Sequence, residues 1–231
     1  MAGRRRHRTD RAHGHSSSVY TCVFWPDGTL LATTSAADGI RLWRASDGTM
    51  KARLSGHSGW IRGCAFSPDG TLFATTSGDR TARLWRTADG TEQAVLTGHT
   101  DAVTSRAFSP DRTLLATTTT ADDRTVRLWH VADRTERTVL TGHSHWVENC
   151  AFSPDGTLLA TAGRDQTIRL WHMATGRCHC ALRLPSDLTA LLCATGRGGR
   201  VHADVRARRR RVVGPLTWCR PCGARRGRGR G

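Results

Sequence analysis

Short alternations of apolar and polar residues, punctuated by turn residues, run through most of the 231-residue chain. Residues 142–183 show the pattern most clearly. Val147, Cys150 and Phe152 mark the inner face of a first strand, which runs into a Pro-Asp-Gly turn at 154–156. "TLLATA" (157–162) is a second strand rich in β-formers, and "TIRLW" (167–171) is a third, entered through a tight turn at Asp165. In earlier stretches "TEQAVL" (91–96) and "TERTVL" (135–140) supply a fourth. Strands this short, with turn signals at even spacing, predict an all-β chain.

The pattern is periodic. Gly-His pairs stand at Gly14-His15, Gly56-His57, Gly98-His99 and Gly142-His143, steps of 42, 42 and 44 residues. Leu-Trp pairs end at Trp43, Trp85, Trp129 and Trp171, and between each two markers lies "WPDG", "SPDG" or "SPDR". The third copy is two residues longer because "TTTTADDRT" (117–125) replaces the "TTSGDRT" (75–81) of the second. Four units result: 14–55, 56–97, 98–141 and 142–183. A four-stranded unit repeated at this length predicts blades arranged around an axis, each covering its neighbour's apolar face.

On these markers the chain resembles the WD-repeat β-propeller family. The resemblance implies one blade per repeat around a central channel and a non-catalytic platform for protein assembly. One departure is uniform: the aspartate that follows the tryptophan in the family is Arg44, Arg86, His130 or His172 here. The resemblance also implies a structural hydrogen-bond network in each blade. Its members are His57, Thr75, Asp79 and Trp85 in the second unit, and His143, Thr161, Asp165 and Trp171 in the fourth. The third unit has His99, Asp123 and Trp129, with either Thr117 or Thr119 between them. In the first, His15, Thr33 and Trp43 match, but Asp38 lies five residues before the tryptophan instead of six.

These residue types also compose a hydrolytic triad, in which a hydroxyl is activated by a His–Asp pair. Repetition decides against that reading, because an enzyme needs one such site and a propeller needs one per blade. As a network the set is chemically sound. The carboxylate accepts from a histidine N–H, the histidine is held in one tautomer, and the indole N–H finds an acceptor.

A propeller must close, and four units are the lower limit for doing so. The segment before His15 reads "DRAHGH" where "AVLTGH" would be needed for a closing strand. Residues 184–202 faintly echo a Pro-Asp turn followed by a Leu-Leu-Cys-Ala-Thr strand, and are expected to form a degenerate half blade. The expected architecture is therefore four blades, or four and a half, in a ring left incomplete or closed by self-association. The chain is expected to be a fragment or truncated relative of a larger bacterial regulator.

Charge changes the picture only at the ends. The formal net charge is +16, but residues 14–195 hold 18 basic and 17 acidic groups. The arm 1–13 carries five arginines, and residues 196–231 carry twelve. Polyanion affinity, and with it an alternative role as a nucleic-acid-associated protein, therefore belongs to the tails alone. Residues 203–231, rich in Arg and Gly, are expected to be disordered. All but one of the basic residues are arginine, Lys51 being the exception, which points to GC-rich coding DNA.

No apolar run reaches membrane-spanning length and no secretory leader is recognisable, so a cytoplasmic location without membrane partners is expected. Cys22, Cys64 and Cys150 share one repeat position and are expected to be apolar core residues, with Arg106 in their place in the third unit. Cys219 and Cys222, with Cys178, His179, Cys180 and His202, fit no zinc-ligand spacing, so neither metal nor cofactor is expected. The candidate protein-binding face comprises Trp60, Arg62, Trp146, Glu148 and Arg164, two tryptophans at equivalent posts flanked by charges of both signs.

Overall fold

The computed structural model describes residues 14–35, 39–120 and 122–183, and the backbone of three further strands. The described chain is all β. Blade 1 comprises β1 (Val19–Phe24), β2 (Leu30–Ser35), β3 (Gly39–Arg44) and β4 (Met50–Leu54). Blade 2 comprises β5 (Ile61–Phe66), β6 (Leu72–Ser77), β7 (Ala82–Arg86) and β8 (Glu92–Leu96). Blade 3 comprises β9 (Val103–Phe108), β10 (Leu114–Thr119), β11 (Val126–His130) and β12 (Glu136–Leu140). Blade 4 comprises β13 (Val147–Phe152), β14 (Leu158–Gly163), β15 (Thr167–His172) and β16 (Arg177–Arg183). Each is an antiparallel meander in sequence order.

The turns follow from local chemistry. At Ser67–Thr71 the Asp69 carboxylate accepts from the Ser67 hydroxyl and from the backbone and side chain of Thr71. The chain then passes through Gly70 at φ 71°, a left-handed conformation that glycine adopts without a Cβ clash. In blade 3 the same post is Arg112, at φ 67°, and its guanidinium reaches back 2.8 Å to Asp69 of blade 2. In blade 1 the serine of this turn is Trp25, whose ring stacks on Phe66 of blade 2 with Lys51 over it.

Every blade has two apolar faces because strand side chains alternate. The trailing face of blade 1, Ala32, Ile40, Leu42 and Leu54, packs against Ile61, Cys64, Phe73 and Trp85 of blade 2. The same four posts in blade 2 are Ala74, Ala82, Leu84 and Leu96, which meet Leu115 and Trp129 of blade 3. In blade 3 they are Ala116, Val126, Leu128 and Leu140, against Val147, Cys150, Phe152, Leu159 and Trp171 of blade 4. The core is thus a row of interfaces between sheets, not a single centre.

After blade 4 come β17 (Leu188–Cys193), β18 (His202–Ala207) and β19 (Arg211–Val213), a three-stranded antiparallel sheet. β17 lies against β13 and β14, as β13 lies against β9 and β10. This sheet includes the stretch expected to form a half blade. β18 and β19 fall mostly where no regular structure was expected; β18 pairs antiparallel with β17, and β19 with β18. The four blades do not close into a ring: β1 packs on β2 and on β5 of blade 2, with no substantial packing onto β13–β19.

Two residues at the cysteine post depart from the expected core. Cys64 and Cys150 are buried, but Cys22 is exposed, because no sheet covers the face of blade 1 that carries it. Arg106 is accommodated by the blade before it. Its guanidinium lies against Gly63 and donates to the Cys64 carbonyl. At the Gly63 post the other units carry Thr21, Ser105 and Asn149, any of which would occupy the space of that guanidinium. Burial away from any carboxylate pulls the guanidinium pKa below its ordinary value. The small residue and the large one are a compensating pair across the interface of blades 2 and 3.

Candidate functional site

Three blades carry a complete histidine network. In blade 2, Trp85 Nε1–H donates to Thr75 Oγ1 at 2.9 Å, and the Thr75 hydroxyl donates to His57 Nε2 at 2.8 Å. His57 Nδ1–H donates to Asp79 Oδ2 at 2.7 Å. The direction is forced at both ends: a carboxylate only accepts and an indole N–H only donates. Neutral His57, the form that burial favours, therefore carries its proton on Nδ1. The fourth blade repeats the chain through Trp171, Thr161, His143 and Asp165 at 2.8, 2.8 and 2.9 Å.

In blade 3 the hydroxyl is Thr117, 2.8 Å from both His99 Nε2 and Trp129 Nε1, and His99 Nδ1 lies 3.0 Å from Asp123. Thr119 instead donates to the Thr125 carbonyl. The two inserted residues therefore lengthen the turn after β10, and leave the position of the threonine in the strand unchanged. In blade 1, Thr33 Oγ1 lies 2.7 Å from His15 Nε2 and accepts from Trp43 at 2.7 Å. Asp38 lies outside the described residues.

The carboxylates do more than orient histidines. Asp165 Oδ2 also accepts from the Ser144 amide at 3.0 Å, and Oδ1 accepts from the amide and hydroxyl of Thr167 at 3.0 and 2.7 Å. Asp79 makes the same set with Ser58 and Thr81, and Asp123 with Thr100 and Thr125. Each aspartate ties the Gly-His loop to the turn between the second and third strands. The threonine two residues after each aspartate escaped the sequence reading. Its signal was present: "DRT" recurs at 79–81 and 123–125, and "DQT" at 165–167.

Burial and hydrogen bonding oppose one another at these groups. Desolvation lowers the pKa of His57 and His143 and outweighs the attraction of their aspartates. For Asp79 and Asp165 burial favours the neutral acid, but the hydroxyls of Thr81 and Thr167 and the histidine N–H groups hold both below the usual carboxylate range. The hydroxyls that a triad would use as nucleophiles are those of Thr75, Thr117 and Thr161. All three are fully buried, and each is engaged by both its histidine and its tryptophan.

The glycine of the Gly-His pair has its own reason. At Gly142, φ 149°, a Cβ would lie 2.8 Å from Arg169 Nη1, and at Gly98 the same holds for Arg127. In blades 2 to 4 the arginine of "RLW" occupies the notch that the glycine leaves. In blades 2 and 3 it pairs with Glu92 and Glu136 of the fourth strand.

The candidate binding face lies at the starts of the first strands. Trp60 is 60% exposed, with Arg62 exposed two residues on. Trp146 is half-buried by neighbours from its own blade: Arg164 stacks 4.2 Å from the ring centroid and His145 lies 5.6 Å away. Arg164 also pairs with Glu148, so Trp146, Glu148 and Arg164 form one cluster. Blade 3 has Ala102 at the tryptophan post. Among the described residues no group of His, Cys, Asp and Glu has the arrangement of a metal site.

A row of four-stranded antiparallel blades, each opening on a Gly-His loop and each with a tryptophan on its third strand, defines a WD-repeat propeller protein. The chain matches the family described as WD domain, G-beta repeat over residues 7–44, 48–86, 90–130 and 134–172, and it belongs to that family. The last three matches begin close to or within the fourth strand of one blade and end with the third strand of the next, so the family's repeat is offset from the blade by one strand. Repeats of this family generally serve protein–protein interaction and scaffolding, and are typically non-catalytic. No curated protein matches the chain significantly. Among the described residues no helix is long and apolar enough to cross a membrane.

Proposed function

We propose that the chain is a non-catalytic scaffold that binds a protein partner through the rim carrying Trp60, Arg62, Trp146, Glu148 and Arg164. The observation that supports this reading most directly is the exposure of Trp60 at the post where blade 4 carries the Trp146–Arg164–Glu148 cluster. Two tryptophans at equivalent posts two blades apart, one exposed beside Arg62 and one stacked by Arg164 with Glu148 paired to it, offer aromatic anchors with charge of both signs. The histidine networks keep the loops that present these residues in place, which is a structural role. A bacterial cytoplasmic setting, within or beside a larger regulator, fits the arginine-dominated composition and the free thiols of Cys22, Cys64 and Cys150.

The test is affinity capture with the wild-type chain and with W60A/W146A, followed by direct binding of the purified captured protein. Each tryptophan is expected to contribute about 2 kcal/mol, roughly 30-fold in affinity. Equal binding by the double variant would discard the rim. The nucleic-acid reading rests on the arginines of 1–13 and 196–231, which lie outside the described side chains. It requires binding that falls steeply with salt and disappears when 196–231 is deleted.

A further inference from the structure

The surroundings of Trp60 and Trp146 correspond residue by residue, and two of the posts differ. The Trp60 carbonyl accepts from the Gly78 amide at 2.8 Å, and the Trp146 carbonyl accepts from the Arg164 amide at 2.8 Å. Gly78 therefore stands in blade 2 where blade 4 has Arg164, whose guanidinium lies 4.2 Å over the Trp146 ring. Arg62 stands where blade 4 has Glu148, and each is the extra residue of a β-bulge in its first strand. Blade 4 thus fills its own post, with a cation over the ring and a carboxylate paired to the cation. Blade 2 has the ring, no side chain at Gly78 to cover it, and a cation in place of the carboxylate. Arg80, two residues after Gly78 in the same turn, is a second exposed cation. Among the described residues no carboxylate pairs with Arg62 or Arg80. Asp79, between Gly78 and Arg80, is taken up by His57, Ser58 and Thr81.

We propose that the blade 2 post, Trp60 with Gly78, Arg62 and Arg80, receives an acidic segment of the protein partner in which an aromatic residue is flanked by carboxylates. The filled post of blade 4 shows what such a site holds, and the two differences state how the guest must change. The ring that Gly78 leaves uncovered takes a flat apolar group in offset or edge contact. A guest cation in the manner of Arg164 would meet Arg62 instead of a carboxylate, so the charge of the guest is inverted. Carboxylates on either side of the aromatic group make charge-assisted hydrogen bonds to the guanidinium groups of Arg62 and Arg80. Trp146 meets the partner with its ring already covered by Arg164, whereas Trp60 takes a side chain from the partner there. This rests on the rim reading of the scaffold and adds the chemistry of the partner to it.

Fluorescence anisotropy of the full-length chain, at moderate salt and after nuclease treatment, reads the binding of three labelled peptides: Gly-Glu-Phe-Glu-Gly, Gly-Glu-Ser-Glu-Gly and Gly-Arg-Phe-Arg-Gly. The first is expected to bind the wild-type chain about tenfold tighter than either of the others. R62E is expected to reverse the preference toward the arginine peptide, because the introduced carboxylate restores the pairing of blade 4, a gain that an unfolded variant would not show. R62E/G78R supplies the stacked cation as well and closes the post from within, so the first peptide is expected to lose about tenfold in affinity. Its thermal unfolding is expected to be unchanged, since a Cβ at Gly78 would meet only backbone atoms of Trp60, at 3.7 Å. Equal binding of the phenylalanine and serine peptides by the wild-type chain, or no binding of any peptide, overturns the proposal. So does acidic-peptide binding that is undiminished in R62E/G78R, which is the mark of the arginine tails. Loss of partner capture in W60A/W146A beside any of these results would keep the rim and remove only its acidic partner.

Discussion

The first and fourth blades are built from the same strands, turns and residue types, yet Phe24 is 60% exposed where Phe152 is 3%. Leu31 and Trp43 of blade 1 are only half-buried, while Leu159 and Trp171 are fully buried. Nothing within the strands accounts for this. The difference is the neighbour: blade 4 has blade 3 in front of it, and blade 1 has solvent. In a repeat protein stability is approximately a sum of unit terms and interface terms, so two similar units can differ by one whole interface.

The largest expected effects separate the two blades directly. Phe152→Ala should cost about 3–5 kcal/mol by removing a ring from a packed interface. Phe24→Ala should cost less than about 1 kcal/mol in the monomer, because little of that ring is withdrawn from water. Chemical denaturation of both variants at low protein concentration measures the contrast, and equal losses would refute it.

Next come the networks. Asp165→Ala leaves His143, Thr167 and the Ser144 amide without their acceptor, and should destabilise the protein by about 3 kcal/mol. His143→Ala should act in the same direction. His15→Ala removes a partly buried contact with Thr33 and should cost only about 1 kcal/mol. Thermal unfolding of the three variants ranks them, and unchanged stability in both blade 4 variants would dismiss the structural role.

A smaller effect asks whether a neighbouring blade decides the fate of a side chain. Gly63→Ala places a methyl group against the Arg106 guanidinium, whereas in an Arg106→Cys background that space is free. A double-mutant cycle should give a coupling of about 1–2 kcal/mol. Additive effects would mean that Gly63 and Arg106 are not a compensating pair.

The mildest test is pH. His57 and His143 have folded pKa values below their unfolded value, so their contribution is complete above about pH 6.5 and is lost as pH falls through that value toward the folded pKa. Asp79 and Asp165 are also lowered, so theirs persists until the pH drops below about 4. Melting temperature should therefore fall between pH 7.5 and 5, and fall again in stronger acid. His57→Gln/His143→Gln should flatten the first fall, and an unaltered profile would argue against neutral histidines in these blades.

Much of this molecule was legible from its residues. The period of 42, the Pro-Asp-Gly turns and the strand alternation are local properties, because hydrogen-bond geometry and β-propensity act over a few residues. The pairing of His143 with Asp165, 22 residues apart, was legible through the family resemblance, and the same spacing recurs between His57 and Asp79 and is lengthened by the two-residue insertion between His99 and Asp123. The threonine after the aspartate went unread although it recurs, since a hydroxyl in a turn has many local uses. Thr117 was separated from Thr119 only by strand register, which an insertion obscures in a run of four threonines.

What the sequence by itself determined is the unit: four strands, their turns, and a histidine, a threonine and a tryptophan placed to meet, with an aspartate added in at least three copies. What only the tertiary structure decided is everything that passes between units. Cys22 is exposed while Cys150 is buried, although both occupy one repeat post. Arg106 fits because a glycine 43 residues earlier belongs to the blade beside it. Trp146 is half-covered by an arginine across its own sheet, while Trp60 stands in solvent. Periodicity states which face of a strand is apolar, but burial is a property of two surfaces, and the second surface is supplied by a different part of the chain or by a different molecule.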